Sequence, residues 1–119
     1  MEETPQTYDA RTLTLRAAEL LADKKGEALV AIDVSGVSSL CDYVILVSGS
    51  SPPHLKAMFN DLQHELKQEG VQAFRKGGAP ESGWMVVDYV DLIIHIFLPE
   101  TRTYYALEDL WPEAPRLEC

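Results

Sequence analysis

The amino-acid sequence predicts an α/β domain in which helices cover a mixed five-stranded sheet. The first observation is that residues 11–25 and 54–69 carry apolar side chains at the spacing of amphipathic helices. The second is that the first two short runs between them are apolar on both faces, as in interior strands. The resulting order, α-β-β-α-β-β-β-α, interleaves helices with strands, and such chains pack their helices onto a sheet.

The first half of the chain is predicted to form two helices separated by two strands. These elements are the helix Arg11–Lys25, the strands Glu27–Val34 and Tyr43–Val47, and the helix His54–Glu69. Asp9 is placed to cap the first helix and Gly26 to end it. The segment Ser48-Gly49-Ser50-Ser51 precedes the second helix, which is predicted to end at Gly70.

The second half is predicted to form three strands and a last helix within the same single domain, residues 1–119. The elements are the short strand Val71–Arg75, the exposed loop Lys76–Gly83, the strands Trp84–Asp88 and Leu92–Leu98, and the helix Glu100–Trp111. Glycine, proline and serine indicate the loop, and Pro99 ends the last strand. We expect the two ends of the chain, residues 1–8 and 112–119, to be flexible.

The net charge indicates which partners this chain attracts. The chain carries a charge of −9, and residues 81–119 hold −6 of it, with eight acids and two bases. An acidic surface repels phosphate, which argues against sequence-specific or direct binding of duplex DNA or RNA. It attracts basic proteins and speeds their association, and the cationic proteins of the ribosome are the leading candidates.

The sequence also predicts a cytoplasmic protein that does not contact a membrane. No apolar run reaches the roughly 18 to 20 residues of a membrane span, and the longest, Leu92–Leu98, is interrupted by His95. Three acids precede the first basic residue, unlike a secretory or transit peptide. Cys41 and Cys119 do not form a disulfide framework, as expected in a reducing cytosol.

The Gly49-Ser50 turn has two interpretations. Free backbone N–H groups at a helix N-terminus can bind an anion, and nucleotidyltransferases place Gly-Ser there ahead of carboxylates that hold Mg²⁺. That chemistry needs two or three converging acids, but the chain has no Asp-x-Asp pair, and Asp88 and Asp91 flank a turn. The three histidines lack the spacing of a zinc site. Helix capping by Ser50 or Ser51 is therefore favoured, and no metal or cofactor is predicted.

The last helix is the strongest candidate for an interaction surface. Tyr104 and Tyr105 are adjacent and point about 100° apart, so they cannot both be buried against one core. With Trp111 nearby, at least one large aromatic side chain is predicted to be exposed. Exposed aromatics beside Arg102 are typical of binding hot spots. His95, inside an apolar strand, is either a hydrogen-bonded core residue or a polar point on the same surface.

A set of short motifs in a fixed order resembles the ribosomal silencing factor family, also called Iojap-like proteins. The motifs are Asp33-Val34, Cys41-Asp42-Tyr43, Ser48-Gly49-Ser50-Ser51 with His54, Trp84-Met-Val-Val-Asp88, Asp91-Leu-Ile-Ile-His95-Ile-Phe97, Glu100-Thr-Arg102, and Tyr105-x-Leu107-Glu108-x-Leu110-Trp111. The resemblance runs from about Leu13 to Pro115. Each motif is short, but their order and spacing together are specific.

The resemblance implies a nucleotidyltransferase-like fold without the catalytic acids, and hence a protein that is not an enzyme. It implies binding to the large ribosomal subunit through ribosomal protein uL-fourteen, on the face where the small subunit docks. The bound factor would block subunit joining and repress translation in stationary phase or under nutrient limitation, without a cofactor. Family members often form homodimers. The alternative function is a large-subunit assembly factor, and a nucleotidyltransferase using the Gly49-Ser50 turn is less favoured.

The resemblance also places the contact surface on the strand that starts at Trp84, on Asp91–Phe97 and on the start of the last helix. The partner-binding residues carried over by position are Trp84, Asp88, Asp91, His95, Arg102, Tyr105, Glu108 and Trp111. Val90 stands where the family usually has glycine, and a β-branched residue resists positive φ, so this turn is expected to be strained or of another type. Pro53 replaces a usual arginine, and Cys41 a usual threonine.

Overall fold

The fold is built on one mixed sheet of six strands, seen in a computed structural model that describes residues 8–117. In chain order the elements are α1 (Ala10–Asp23), β1 (Glu27–Asp33), β2 (Tyr43–Ser48), α2 (Pro52–Gln68), β3 (Arg75–Ala79), a 3-10 turn (Pro80–Ser82), β4 (Trp84–Asp88), β5 (Leu92–Phe97), α3 (Pro99–Tyr105), a second 3-10 turn (Leu107–Leu110) and β6 (Arg116–Leu117). The predicted α/β class is confirmed. Residues 1–7, most of the lead-in that is predicted to be flexible, and residues 118–119, which include Cys119, lie outside the described residues.

The strands are ordered β3-β4-β5-β2-β1-β6 across the sheet. β2 and β5 run parallel, and every other pair of neighbours is antiparallel. β5 therefore lies inside the sheet, between β4 and β2. β1 is also interior, which agrees with its apolar pattern on both faces.

The two long helices begin at side-chain caps that the sequence predicts. The Asp9 carboxylate accepts a hydrogen bond from the Thr12 backbone N–H at 2.8 Å. The Ser51 hydroxyl accepts one from the His54 backbone N–H at 3.3 Å, and two prolines occupy the first turn of α2, where no N–H partner is needed. Gly70, at φ +87°, follows the end of α2 and confirms the predicted stop.

Helices α1 and α2 cover one face of the sheet and form the main core with it. Leu21 of α1 and Leu62 of α2 belong to the same buried cluster as Ile45 of β2 and Ile94 of β5. Burial of each such side chain contributes about 1.5–3 kcal/mol. This face is closed, so any large partner must approach the sheet from its other side or from an edge.

The opposite face is closed over β1 and β2 only. There Leu107 and Trp111, which follow α3, pack on the buried side chains of Ile32, Val44 and Leu46. Over β4 and β5, most of the outward side chains remain partly exposed. The second face is thus divided into a covered half and an open half.

The third strand lies later in the chain than predicted. Within the predicted strand Val71–Arg75, residues 71–74 instead form a connecting segment, in which Val71 and Ala73 pack against the main core and Phe74 is 62% exposed. β3 falls within the predicted loop and pairs with β4 as an antiparallel hairpin. Gly78, at φ +84°, permits this pairing, because a Cβ there would collide with the Trp84 carbonyl oxygen. Apolar composition therefore indicated neither the strand pairing nor the exposure of Phe74 correctly.

Two predictions for the C-terminal end are also wrong. The last helix does not continue to Trp111, because α3 ends at Tyr105 and Ala106 takes a left-handed φ of +48°. The sheet has six strands rather than five, because Arg116–Leu117, in the tail predicted to be flexible, pairs with β1. A two-residue strand is held by backbone hydrogen bonds and carries no side-chain pattern that a sequence could reveal.

Candidate functional site

A patch on the open half of the sheet contains three of the residues predicted to bind a partner. It consists of the partly exposed side chains Trp84, Val86 and Asp88 on β4 and Ile93 and His95 on β5, and is termed the outer face. Val86 lies opposite His95 and Asp88 opposite Ile93, and cross-strand partners in an antiparallel pair share one face. The residues that alternate with them are buried in the main core.

An aromatic cluster occupies one end of the outer face, with Trp84 at its centre. The Trp84 ring lies 4.7 Å from that of Tyr105, 5.4 Å from Phe97 and 5.9 Å from His95, between ring centroids. Tyr104 adds an edge-on contact to Tyr105 at 4.9 Å. Phe97 is fully buried, whereas Tyr105 is 52% exposed and Tyr104 81% exposed. The cluster therefore presents a supported aromatic surface to solvent, the composition typical of a binding hot spot.

His95 is an uncharged member of this cluster at neutral pH. The Trp84 indole Nε1–H donates a hydrogen bond to His95 Nδ1 at 3.1 Å. Because the indole can only donate, Nδ1 must be unprotonated for this bond to form. Burial acts in the same direction and lowers the pKa of His95 from 6.5 to about 4. His95 is thus hydrogen-bonded and lies on the outer face, and its role in partner binding stays a prediction.

The acidic end of the outer face is a tight turn between β4 and β5. Asp88 Oδ1 accepts a hydrogen bond from the Val90 backbone N–H at 2.7 Å, and the Asp91 N–H donates to the Tyr89 carbonyl at 2.9 Å. Val90 has φ +75°, so the strain expected of a β-branched residue here is confirmed. Asp91 is exposed, and Asp88 lies 3.6 Å from the Arg75 guanidinium. Two predicted site residues thus lie together at this turn.

Arg102 and Glu108 form a pair that holds the chain reversal after α3. Nε of Arg102 donates to Glu108 Oε2 at 2.9 Å, and Nη2 lies 2.9 Å from the same oxygen as an ion pair. Nη1 of Arg102 donates to the buried hydroxyl of Ser48 at 3.0 Å. Arg102 is only 9% exposed, so its guanidinium connects the end of β2 to the C-terminal segment. A role for this pair in partner binding stays a prediction, and its structural role is plain.

Trp111 lies on the covered half of the second face, apart from the aromatic cluster. It packs on the smaller core beside Leu107 and lines a cleft with Leu110, which is 63% exposed. The prediction omitted Tyr104 and Leu110, the most exposed large apolar residues of this region. The adjacency of the two tyrosines was a usable signal for Tyr104. No sequence pattern showed that Phe97 supports the Trp84 ring.

The Gly49-Ser50 turn precedes Ser51, the cap of α2, and the backbone N–H groups of both turn residues already have partners. The Gly49 N–H donates to the Phe97 carbonyl at 2.9 Å, and the Ser50 N–H donates to His54 Nδ1 at 2.9 Å. The absence of a side chain at Gly49 allows close packing, since a Cβ there would lie 2.7 Å from a Leu55 methyl carbon. Within residues 8–117, no three histidine, cysteine or acidic side chains gather in a way that could hold a metal ion.

Cys41 is buried and unpaired in the smaller core. Burial raises the pKa of its thiol, which opposes thiolate formation and nucleophilic chemistry. None of the helices in the described part of the chain is long and apolar enough to cross a membrane.

The fold and site define a class of protein: a small domain of one mixed sheet, helices on one face and an aromatic patch on the other. A family model described as "Ribosomal silencing factor during starvation" matches residues 7–119. The chain therefore belongs to the ribosomal silencing factor family, as the motifs indicated.

Individual relatives agree with this assignment. The ribosomal silencing factor of Bacillus subtilis is 33% identical over 99 residues, which cover 83% of this chain and 84% of the relative. A crystal structure of a protein from Chromobacterium violaceum superposes with a TM-score of 0.84 at 33% identity and covers 88% of both chains. The mouse protein named "Mitochondrial assembly of ribosomal large subunit protein 1" is 34% identical over 95 residues, 77% of this chain and 42% of that protein.

Proposed function

We propose that this chain binds the large ribosomal subunit through its outer face and aromatic cluster and prevents the small subunit from joining. Protein uL-fourteen, a basic protein of the large subunit, is the proposed contact. Translation is then repressed when nutrients are limiting, in the cytoplasm and without a membrane. The observation that carries the proposal is the exposed, supported aromatic cluster on the only open half of the described sheet.

The charges around this surface favour a basic protein partner. Asp88 and Asp91 lie at one end of the outer face, and Glu100, Asp109 and Glu113 lie in the segment that follows β5. Charge complementarity of this kind steers association and raises its rate. The neutral His95 and the aromatic rings then supply the apolar contact at the centre, where charged residues are typically depleted.

We further propose that the protein acts without catalysis. A steric blocker requires only a surface and enough affinity to occupy it. The Gly49 and Ser50 N–H groups already have partners, so they offer no free cradle for a nucleotide. A nucleotidyltransferase would need millimolar or tighter binding of nucleoside triphosphate with Mg²⁺, which calorimetry can detect. Measurable heat of binding would revive that alternative.

Co-sedimentation with separated ribosomal subunits, followed by a subunit-joining assay, tests the proposal. We expect binding to large subunits alone and a loss of joined ribosomes. Tyr105→Ala removes a half-exposed ring and should weaken binding by more than about 1 kcal/mol, or roughly fivefold or more in Kd. Trp84→Ala should do the same, but it also removes packing against Phe97, so the tyrosine variant is the cleaner probe.

A matched control lies on the far side of the sheet. Lys56 is exposed on α2, and Lys56→Ala should bind like the parent. Circular dichroism must show that every variant is folded. If folded Tyr105→Ala and Trp84→Ala proteins bind large subunits as the parent does, the outer face is not the contact. Analytical ultracentrifugation of the parent chain tests the further proposal that it forms a homodimer.

The second candidate function is assembly of the large subunit, favoured by the name of the mouse relative. Deletion of the gene for this chain distinguishes the assembly function from the silencing function. Immature large subunits with normal joining of the mature ones would favour assembly. Mature large subunits with unregulated joining during starvation would favour silencing.

A further inference from the structure

The sheet edge beside the outer face is basic, although the chain is acidic overall. β3 is the edge strand next to β4, and Lys76 lies opposite the buried Val87, on the helix side of the sheet. There Lys76 lines a cleft of about 350 Å³ with Lys67 and His64 of α2. None of the described side chains that line this cleft is a carboxylate. Lys67 and Lys76 are therefore the charged side chains that line this cleft, and both are positive.

The two lysines of the cleft have no acidic partner in the part of the chain that the structure describes. Among residues 8–117, neither Lys67 nor Lys76 has a carboxylate within 4 Å. Arg16, Lys24 and Arg102, by contrast, are each held in an ion pair. Unpaired ammonium groups beside amide side chains form a donor-rich surface, which suits phosphate oxygens.

The overall charge of −9 does not prevent anion binding at this edge. At physiological ionic strength, charges more than about 8 Å away are largely screened. Local groups then decide the sign of the potential, and the charged side chains that line the cleft are two lysines. The cleft also falls within the roughly 300–1,000 Å³ of ordinary ligand sites.

We propose that this basic cleft, formed by Lys67, Lys76, His64 and the amides of Asn60 and Gln72, contacts phosphodiester groups of large-subunit RNA. The inference rests on the proposed function and deepens it. β3 is the edge strand, about 4.8 Å from β4, so a partner that is seated on the outer face and extends around this edge would reach the cleft on the helix side. Ribosomal proteins are embedded in RNA, and their flanks present phosphate. The contact is independent of base sequence because it uses only the backbone charge.

The salt dependence of large-subunit binding tests this inference. The double variant K67Q/K76Q removes two positive charges from the cleft. We expect the slope of log Kobs against log salt concentration to become shallower by about 1.4–1.8, because each phosphate that a lysine neutralises contributes about 0.7–0.9 to the slope. The matched control is K25Q/K56Q, which makes the same charge change at two exposed lysines outside the cleft. The control should keep the slope of the parent.

Each remaining outcome is decisive. If K67Q/K76Q keeps the parental slope while Tyr105→Ala still loses affinity, the cleft does not contact RNA and the proposed function stands. If both double variants change the slope equally, net charge rather than the cleft is responsible, and the inference fails. Calorimetry of the parent chain with inorganic phosphate or ATP tests a further outcome. Saturable binding with a Kd below about 1 mM would mean that the cleft binds a free anion rather than RNA. If the parent chain does not bind large subunits, the proposed function itself is wrong.

Discussion

Replacement of Arg102 by alanine should destabilise the protein strongly. The Arg102 guanidinium is almost fully buried and donates one hydrogen bond to Glu108 and one to Ser48, and its Nη2 atom makes a further ion-pair contact with Glu108. Arg102→Ala leaves the buried Ser48 hydroxyl without this donor and the Glu108 carboxylate without its cation. It also releases the segment that covers β1 and β2, because this pair closes the reversal at Ala106.

The magnitude follows from these contacts. Removal of one partner from a buried ion pair costs about 3–5 kcal/mol. The Glu108 side chain is 28% exposed and can recover part of its hydration, which lowers the cost. The unpaired Ser48 hydroxyl adds about 1 kcal/mol. We expect a loss of about 3 kcal/mol in the free energy of unfolding, and a coupling of about 2 kcal/mol between Arg102→Ala and Glu108→Ala.

Urea unfolding, followed by circular dichroism and tryptophan fluorescence, measures the four free energies of this double-mutant cycle. Arg11→Ala is the matched control, since Arg11 is exposed and makes no ion pair within residues 8–117. It should change stability by no more than about 0.5 kcal/mol. A loss below about 1 kcal/mol for Arg102→Ala, or additive effects in the cycle, would refute the structural role assigned to this pair.

Three further predictions concern the turn, the histidine and the helix cap. Val90→Gly should raise the free energy of unfolding by about 1 kcal/mol, because relief of about 1–3 kcal/mol of backbone strain outweighs the flexibility of glycine; a lower urea midpoint would contradict this. His95 has a pKa of about 4 when folded and 6.5 when unfolded, so stability should fall as pH drops from about 6.5 to about 4. His95→Gln should remove that part of the pH dependence, and parallel profiles for variant and parent would show the assignment to be wrong. Ser51→Ala should cost about 1 kcal/mol, measured by thermal unfolding, and an unchanged Tm would mean that the cap is not used.

The helices and interior strands were predictable because their signals are local. Apolar residues recur in α1 and α2 at the helical period, which places them on one buried face of each helix. The caps at Asp9 and Ser51 lie at their expected places. The strained φ at Val90 was predictable for the same reason, since it follows from one residue in a short turn. Each of these features depends on a few neighbouring residues.

The errors arose where distant contacts decide the local structure. A helix that continues through Tyr105 to Trp111 satisfies every local preference. The chain nevertheless reverses at Ala106, because Arg102 forms an ion pair and a hydrogen bond with Glu108. β3 is rich in glycine and has the composition of a loop, and only pairing with β4 makes it a strand. Tertiary contacts here override intrinsic propensity, which is a weak preference of under about 1 kcal/mol per residue.

The candidate site was predictable as a surface and less so residue by residue. Trp84 and His95 were expected on the same surface, and the antiparallel register brings their rings together. The sequence could not show that Arg102 points inward, because its orientation depends on a hydroxyl contributed by Ser48, 54 positions away. A charged residue in an exposed-looking segment is usually on the surface, and this one is not.

The reversal at Ala106 explains how one sheet face serves two purposes. If α3 continued straight, Leu107 and Trp111 would be carried away from the sheet, and Ile32, Val44 and Leu46 would be left exposed. The reversal instead seals β1 and β2 with apolar side chains. Because the same reversal stops α3 at Tyr105, the rings of the aromatic cluster stand at the border of the sealed half. The stability of the covered half and the accessibility of the open half therefore depend on the same local break, which Arg102 holds in place.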